Sequence, residues 1–102
     1  MVCELCGREL KELTRHHLIP KTRHANKKTQ KMFTIEQLNK TISICAPCHK
    51  NIHANITEKD LERSFPTIES LKTHPEISKF ISWIKKKPDG FSVPFKQSKD
   101  RR

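Results

Sequence analysis

Four cysteines in two C-x2-C pairs, Cys3/Cys6 and Cys45/Cys48, constrain this chain more than any other feature. One tetrahedral ion bound by four thiolates would tie the N-terminus to the middle of the chain and close a long loop. The 38 residues between the pairs depart from the usual ribbon spacing of about 15–20. Such a staple suits a chain of 102 residues that is 33% hydrophobic and 31% charged, since a domain so short and polar builds only a modest core. A competing partition would give one ion to Cys45, Cys48, His49 and His53. It strands Cys3 and Cys6 with the adjacent His16 and His17, which chelate poorly together, so the four-cysteine zinc site is preferred.

The surroundings of the cysteines support metal rather than redox chemistry. No run is long enough to span a membrane, and Met1-Val2-Cys3-Glu4 opens no signal-peptide stretch. A cytoplasmic protein without a membrane partner is expected, where paired thiols hold metal more often than disulfides. No βαβ pattern surrounds either pair, which argues against a thioredoxin-like role. The formal charge of +10 favours a polyanionic partner through phosphate neutralisation, although charge alone fits a merely soluble basic surface.

Read in order, residues 3–6 form a knuckle, with Gly7 supplying the turn. Residues 8–13 fit a turn or a strand equally. Thr14 to Ile19 is β-prone up to Pro20, and successive strand residues face opposite ways, so His16 and His17 must do different jobs. A basic insertion follows to about Asn39, carrying Lys21, Arg23, Lys27 and Lys28, with a brief helical turn capped by Thr34. His24 within it reads as a surface residue. Thr41–Ile44 should pair with the His16 strand, and Pro47 suits the first turn of a helix reaching about Asn55. His49 and His53 fall one turn apart on one face of that helix. Helices are then expected from Thr57 to Ser64, from Pro66/Thr67 through Lys72, and from Pro75, the last with an apolar stripe of Ile77, Phe80, Ile81 and Ile84. Trp83 flanks that stripe, and His74 reads as a cap or surface residue. Pro88-Asp89-Gly90 ends the helix before a basic tail, residues 88–102, partly docked by Phe91 and Phe95. One domain spans 1–87, with a β-hairpin-and-helix core at about 14–56 and supporting helices at about 58–87.

With the cysteines assigned to structural zinc, His16, His49 and His53 form a three-imidazole site with open positions, the mark of a catalytic rather than a structural metal. His17, on the other face beside a ligand, is placed to act as general base toward water. A histidine pair on a helix is by itself more often a surface accident; the combination is harder to explain that way.

Thr14-Arg15-His16-His17-Leu18-Ile19-Pro20, then Leu38-Asn39, then Cys45-Ala46-Pro47-Cys48-His49-Lys50-Asn51-Ile52-His53 resembles, in motif order, an HNH endonuclease of the zinc-stapled kind. The resemblance covers roughly residues 3–55. It implies a small α+β fold, the ββα-metal (His-Me finger) unit with a structural four-cysteine zinc site and C-terminal helices. It also implies a divalent cation and hydrolysis of DNA phosphodiester bonds to 5′-phosphate and 3′-hydroxyl ends. By position, His17 matches the general base, His16 a neighbouring metal ligand, Asn39 the residue that braces the base-bearing loop, and His49 and His53 metal-binding positions. A histidine where many members carry aspartate makes the site neutral, which suits Zn2+, Ni2+, Co2+ or Mn2+ better than Mg2+. Lys21, Arg23, Lys27, Lys28 and, on the helix, Lys50 are the expected DNA contacts.

The expected activity is therefore nicking or cutting of DNA with little sequence specificity. One site in a monomer would nick, and a homodimer could cut both strands. Two other classes remain: a non-catalytic zinc-stapled nucleic-acid-binding module, which leaves four histidines idle, and a protein-interaction domain with incidental charge.

Overall fold

The two strands of the molecule are short and far apart in sequence, yet their pairing fixes everything around them. In the computed structural model, which describes residues 1–91 and 93, β1 (Thr14–His17) and β2 (Thr41–Ile44) run antiparallel with His16 opposite Ile42 and Thr14 opposite Ile44. Residues directly opposite in a sheet share a face. Thr14, His16, Ile42 and Ile44 therefore point to one side, and His16, Ile42 and Ile44 are buried there. Arg15 and His17 point to the other side.

The chain between the strands is more ordered than an insertion of this composition suggests. After a 3-10 turn at Lys21–Arg23 come α1 (Lys27–Met32) and α2 (Ile35–Asn39). Helix α1 lies where the sequence suggests only a basic loop. Its start is set by Asn26, whose side-chain oxygen accepts from the N–H groups of Lys28 and Thr29, a cap of the kind that contributes about 1 kcal/mol. Helix α2 opens with the expected Thr34 cap, closed reciprocally by Gln37. The insertion is anchored at Glu62, a buried carboxylate that accepts from Arg23 Nε at 2.6 Å and Thr29 Oγ1 at 2.8 Å. Burial works to raise the Glu62 pKa, but these two hydrogen bonds outweigh it and hold the carboxyl below its ordinary value.

Helix α3 (Ala46–Asn55) leaves β2 directly, with Cys45 as its N-cap and Pro47 in its first turn. The remaining helices follow the sequence closely: α4 (Glu58–Ser64) capped by Thr57, α5 (Ile68–Thr73) with a Thr67/Ser70 capping box, and α6 (Pro75–Ile84). His74 is a cap, its Nδ1 accepting from the Glu76 N–H at 3.1 Å. Helix α6 packs on α3 and α5, burying Ile77 and Ile84, with Phe80 and Ile81 half-buried and Trp83 exposed at its flank. Ile42, Ile44, Ile52, Leu61, Leu71, Ile77 and Ile84 join the four cysteines in one core. Burying each aliphatic side chain contributes roughly 1.5–3 kcal/mol.

Among the described residues, one two-stranded sheet and six α-helices thus make a small, compact α+β fold. None of those helices is long and apolar enough to cross a membrane. The segment from Pro88 is attached at its start. The Lys11 N–H donates to Asp89 at 3.0 Å, and Phe91 and Val93 pack on the core. Phe95 and the rest of the basic tail lie outside the described residues.

Candidate metal centres

The first cluster is built by a knuckle stitched onto β2. The Glu4 N–H donates to the Ser43 carbonyl at 2.9 Å, and the Ser43 N–H donates back to the Glu4 carboxylate at 2.7 Å. The Gly7 N–H closes the knuckle on the Cys3 carbonyl, with Gly7 at φ 81°, a left-handed conformation open to glycine. This delivers Cys3 and Cys6 to Cys45 and Cys48 at the β2–α3 corner. All four are buried and free of disulfides, and their sulfurs lie within 4.8 Å of one another. Cys3 and Cys48 are 4.0 Å apart and Cys6 and Cys45 3.9 Å. A tetrahedral ion with metal–sulfur bonds of about 2.3 Å sets its sulfurs about 3.8 Å apart. The cluster could hold a structural metal ion, and its grouping rules out the mixed cysteine–histidine partition.

The electrostatics of the cluster are those of thiols competing for one charge. The Cys3 thiol is pushed far down by its hydrogen bonding with Cys45 and Cys48, with the N–H groups of Cys6 and Cys45 assisting, both at 3.3 Å from its sulfur. Cys48 is pushed far up by its hydrogen bonds with Cys3 and Cys45 and by burial. Over two of the sulfurs lies a residue that the sequence did not single out. Arg8 is buried and donates from Nε to Cys6 at 3.4 Å and from a terminal nitrogen to Cys45 at 3.3 Å. Its other terminal nitrogen donates to the carbonyls of Lys87 and Pro88, both at 3.2 Å. Burial disfavours the guanidinium charge, but the hydrogen bonds to Cys6 and Cys45 outweigh it and raise the Arg8 pKa. Its place two residues past the second cysteine is visible in the sequence, but not the direction of its side chain.

The second cluster occupies the next turns of α3. His16 on β1 meets His49 and His53, with ring centroids 5.2 and 5.4 Å from His16 and 5.0 Å between the two helical rings. One nitrogen from each lies within 4.8 Å of the other two. His16 is 1% exposed, and its Nε2 is buried without a hydrogen-bond partner among the described residues. Burial first, then the neighbouring His49, His53 and His17, pushes its pKa down to about 3. Burial also lowers His49, with His53 adding to it, and lowers His53 against the opposing charge of Glu58. All three are therefore neutral imidazoles near pH 7, the form in which histidine ligates metal. Thr14, Ala46, His49, Lys50 and His53 line a shallow cleft of about 270 Å³, so the cluster is closed by His16 on one side and open on the other.

The other expected site residues are distributed around these clusters. His17 points across the strand from His16, its ring 6.2 Å from that of His24. Burial, then Lys21, His24 and Arg15, lowers its pKa. Asn39 ends α2, exposed, and its side chain makes no hydrogen bond among the described residues. The segment after His17 is tied instead by His24, whose Nε2 meets the Ile19 carbonyl at 2.8 Å, and by the Leu18 N–H donating to the Lys40 carbonyl at 3.2 Å. That differs from the brace expected of Asn39, because the 3-10 turn directly after Pro20 brings His24 to the Ile19 carbonyl. Lys21, Lys27, Lys28 and Lys50 are exposed, whereas Arg23 is engaged by Glu62.

A small α+β protein with a buried four-cysteine cluster and an adjoining three-histidine cluster is the class these features define. Over 101 residues, 99% of this chain and 90% of the relative, the sequence is 35% identical to the uncharacterized protein YisB of Bacillus subtilis (strain 168), and the chain belongs to that protein's family. No protein-family model and no solved structure matches it.

Proposed function

We propose that the protein is a metal-dependent DNA endonuclease of HNH type, with β1, β2 and α3 as its ββα-metal unit. One observation carries this reading: His16, whose buried Nε2 has no hydrogen-bond partner among the described residues, stands with His49 and His53 in a cluster of three neutral imidazoles that each bring one ring nitrogen within 4.8 Å of the others. An unsatisfied buried polar atom is costly, and a divalent ion held by His16, His49 and His53 would offer it a partner. The donor set fits such an ion, since three imidazoles with an open side leave room for water and a phosphate oxygen. In the cysteine cluster the fit is to structural Zn2+, by sulfur spacing and complete burial.

The chain's own residues would act as follows. His16, His49 and His53 hold the catalytic ion, which could be Zn2+, Ni2+, Co2+, Mn2+ or Mg2+. When bound, that ion supplies Lewis-acid stabilisation of the charge developing on the phosphate and the leaving oxygen. His17, whose lowered pKa keeps it unprotonated near pH 7, takes a proton from water as the water oxygen bonds to phosphorus. The bond to the 3′-oxygen breaks, and that oxygen takes a proton from solvent water, leaving a 5′-phosphate and a 3′-hydroxyl. Lys50, on the rim of the cleft, and Lys21, Lys27 and Lys28 on the insertion neutralise DNA phosphates. Arg23, whose Nε is held by Glu62, anchors the insertion that would carry these contacts.

A second reading, a zinc-stapled nucleic-acid-binding module without catalysis, is favoured by the pairing of the His17 ring with His24 rather than with the three-imidazole cluster. A supercoiled-plasmid assay separates the two, with Mg2+, Mn2+, Co2+, Ni2+ and Zn2+ supplied separately and an EDTA control. The nuclease converts plasmid to open-circle or linear DNA, and His17→Ala lowers the rate by ~10²-fold or more. Shifted plasmid without cleavage under every ion makes the binding module the better account.

A further inference from the structure

The geometry points to Thr14 as the positioning residue of the histidine cluster: its hydroxyl fixes the tautomer of His49 and so decides which nitrogen His49 offers to a metal. This rests on the metal reading of the three histidines given above.

Counting protons decides the tautomer. Thr14 Oγ1 lies 3.0 Å from the Ile44 carbonyl oxygen and 2.8 Å from His49 Nδ1. A hydroxyl has one proton to donate and two lone pairs with which to accept. The carbonyl oxygen can only accept, so the Thr14 proton goes to Ile44. The remaining contact, to His49, then requires Nδ1 to donate. An imidazole that ligates a metal is neutral and carries one N–H. The Nδ1 of His49 is therefore the protonated nitrogen, and Nε2 carries the free lone pair. The opposite tautomer would leave Nδ1 and the Ile44 carbonyl, both acceptors, competing for the single hydroxyl proton.

The fold builds this arrangement from two registers. Thr14 and His16 are two apart on β1 and share the face toward α3, so the ligand and the residue that orients a second ligand arrive on one strand. Thr14 also sits opposite Ile44, where β2 turns through Cys45 into α3 and presents His49 one turn into the helix. His53, a turn further along, has no hydrogen bond from its side chain among the described residues. The cluster is thus graded: His16 is fixed by burial, His49 by Thr14, and His53 is left to adjust. Partners that hold the far nitrogen of a ligating histidine commonly strengthen metal binding 10–100-fold.

The test is long-range 1H–15N NMR of the imidazole rings in the purified 102-residue chain after dialysis against a mild chelator, followed by titration with Ni2+. Ni2+ broadens the signals of the rings it approaches, so tautomer and site occupancy are read in one sample. The wild type should show His49 as Nδ1–H with an unprotonated Nε2, and loss of the His16, His49 and His53 signals together on adding Ni2+. Thr14→Val, which keeps the β-branched shape, should mix the tautomers and weaken Ni2+ binding by ~10-fold. Thr14→Ser should restore both. His49 found as Nε2–H in the wild type, or Thr14→Val binding Ni2+ within about twofold of wild type, well short of the expected loss, overturns the assignment. If His49 shows the expected tautomer but Ni2+ leaves all three rings unaffected, the metal site itself fails. The hydrogen bond then serves only the fold, and the positioning role falls with it.

Discussion

The cysteine and histidine clusters grow from the same helix and differ in almost every physical respect. Cys45 and Cys48 stand at the N-terminal end of α3, and His49 and His53 follow within its next turns. The four sulfurs are all buried and closed from above by Arg8. Of the three imidazoles, His16 is buried, His49 half-buried and His53 exposed. A closed set of thiolates takes its ion as part of folding, and an open set of neutral rings leaves positions for water and substrate. One ten-residue helix thereby carries residues of both clusters, the buried cysteines at its start and the more open histidines in its next turns.

The sharpest way to break this comparison is to remove a ligand from each side. Cys48→Ser should abolish the cooperative thermal unfolding transition, because bound structural zinc contributes on the order of 10 kcal/mol of folding free energy at pH 7. His53→Ala, on an exposed position of the same helix, should leave that transition within a few degrees of wild type. Equal losses from both, followed by circular dichroism, would erase the distinction.

A second test uses the depressed pKa of His16, which falls from an ordinary value of about 6.5 to about 3 in the fold. Between these values the unfolded chain binds a proton that the folded chain does not. In protein without an ion at the histidines, this contribution is complete above pH ~6.5 and declines as pH falls toward ~3, by at most ~1.4 kcal/mol per pH unit. Urea unfolding between about pH 6.5 and 4.5 should show that slope, and His16→Gln should reduce it. An unchanged slope in the variant would contradict the buried neutral state.

The smallest expected effect concerns Arg8. Four thiolates around a divalent ion carry two negative charges in excess, and Arg8 offsets one while donating to two sulfurs. Arg8→Met should speed zinc release to a chelator by ~10-fold while the fold persists with zinc bound. A release rate equal to wild type would reduce Arg8 to a tether for the Lys87 and Pro88 carbonyls.

The sequence revealed these regions unequally. Both clusters were readable because metal ligation fixes residue type and spacing together: the C-x2-C pairs set the knuckles, and the i,i+4 histidines set the helix face. The strand pairing, the caps at Thr34, Thr57 and His74, and a helix start near Thr67 followed from local rules of the same kind. What escaped depended on direction through space. Arg8 and Thr14 look like ordinary polar residues until the knuckle and the β2–α3 corner bring sulfurs and an imidazole to them. Helix α1 was hidden by its lysines, although Asn26 marked its start. Asn39 makes no side-chain hydrogen bond among the described residues, and the contact to the Ile19 carbonyl comes from His24, brought there by the 3-10 turn at Lys21–Arg23. Glu62, which anchors the insertion, lies far along the chain from the residues it holds.

Whether two metal sites of different kind share α3 is decided by native mass spectrometry during Co2+ titration, read beside the visible absorption spectrum. A first Co2+ should be held tightly, with the intense thiolate-to-metal bands of a tetrahedral sulfur site. A second, more readily chelated Co2+ should follow without such bands, and His16→Ala should abolish it. A single bound ion, or a second ion that survives His16→Ala, would refute the two-site arrangement.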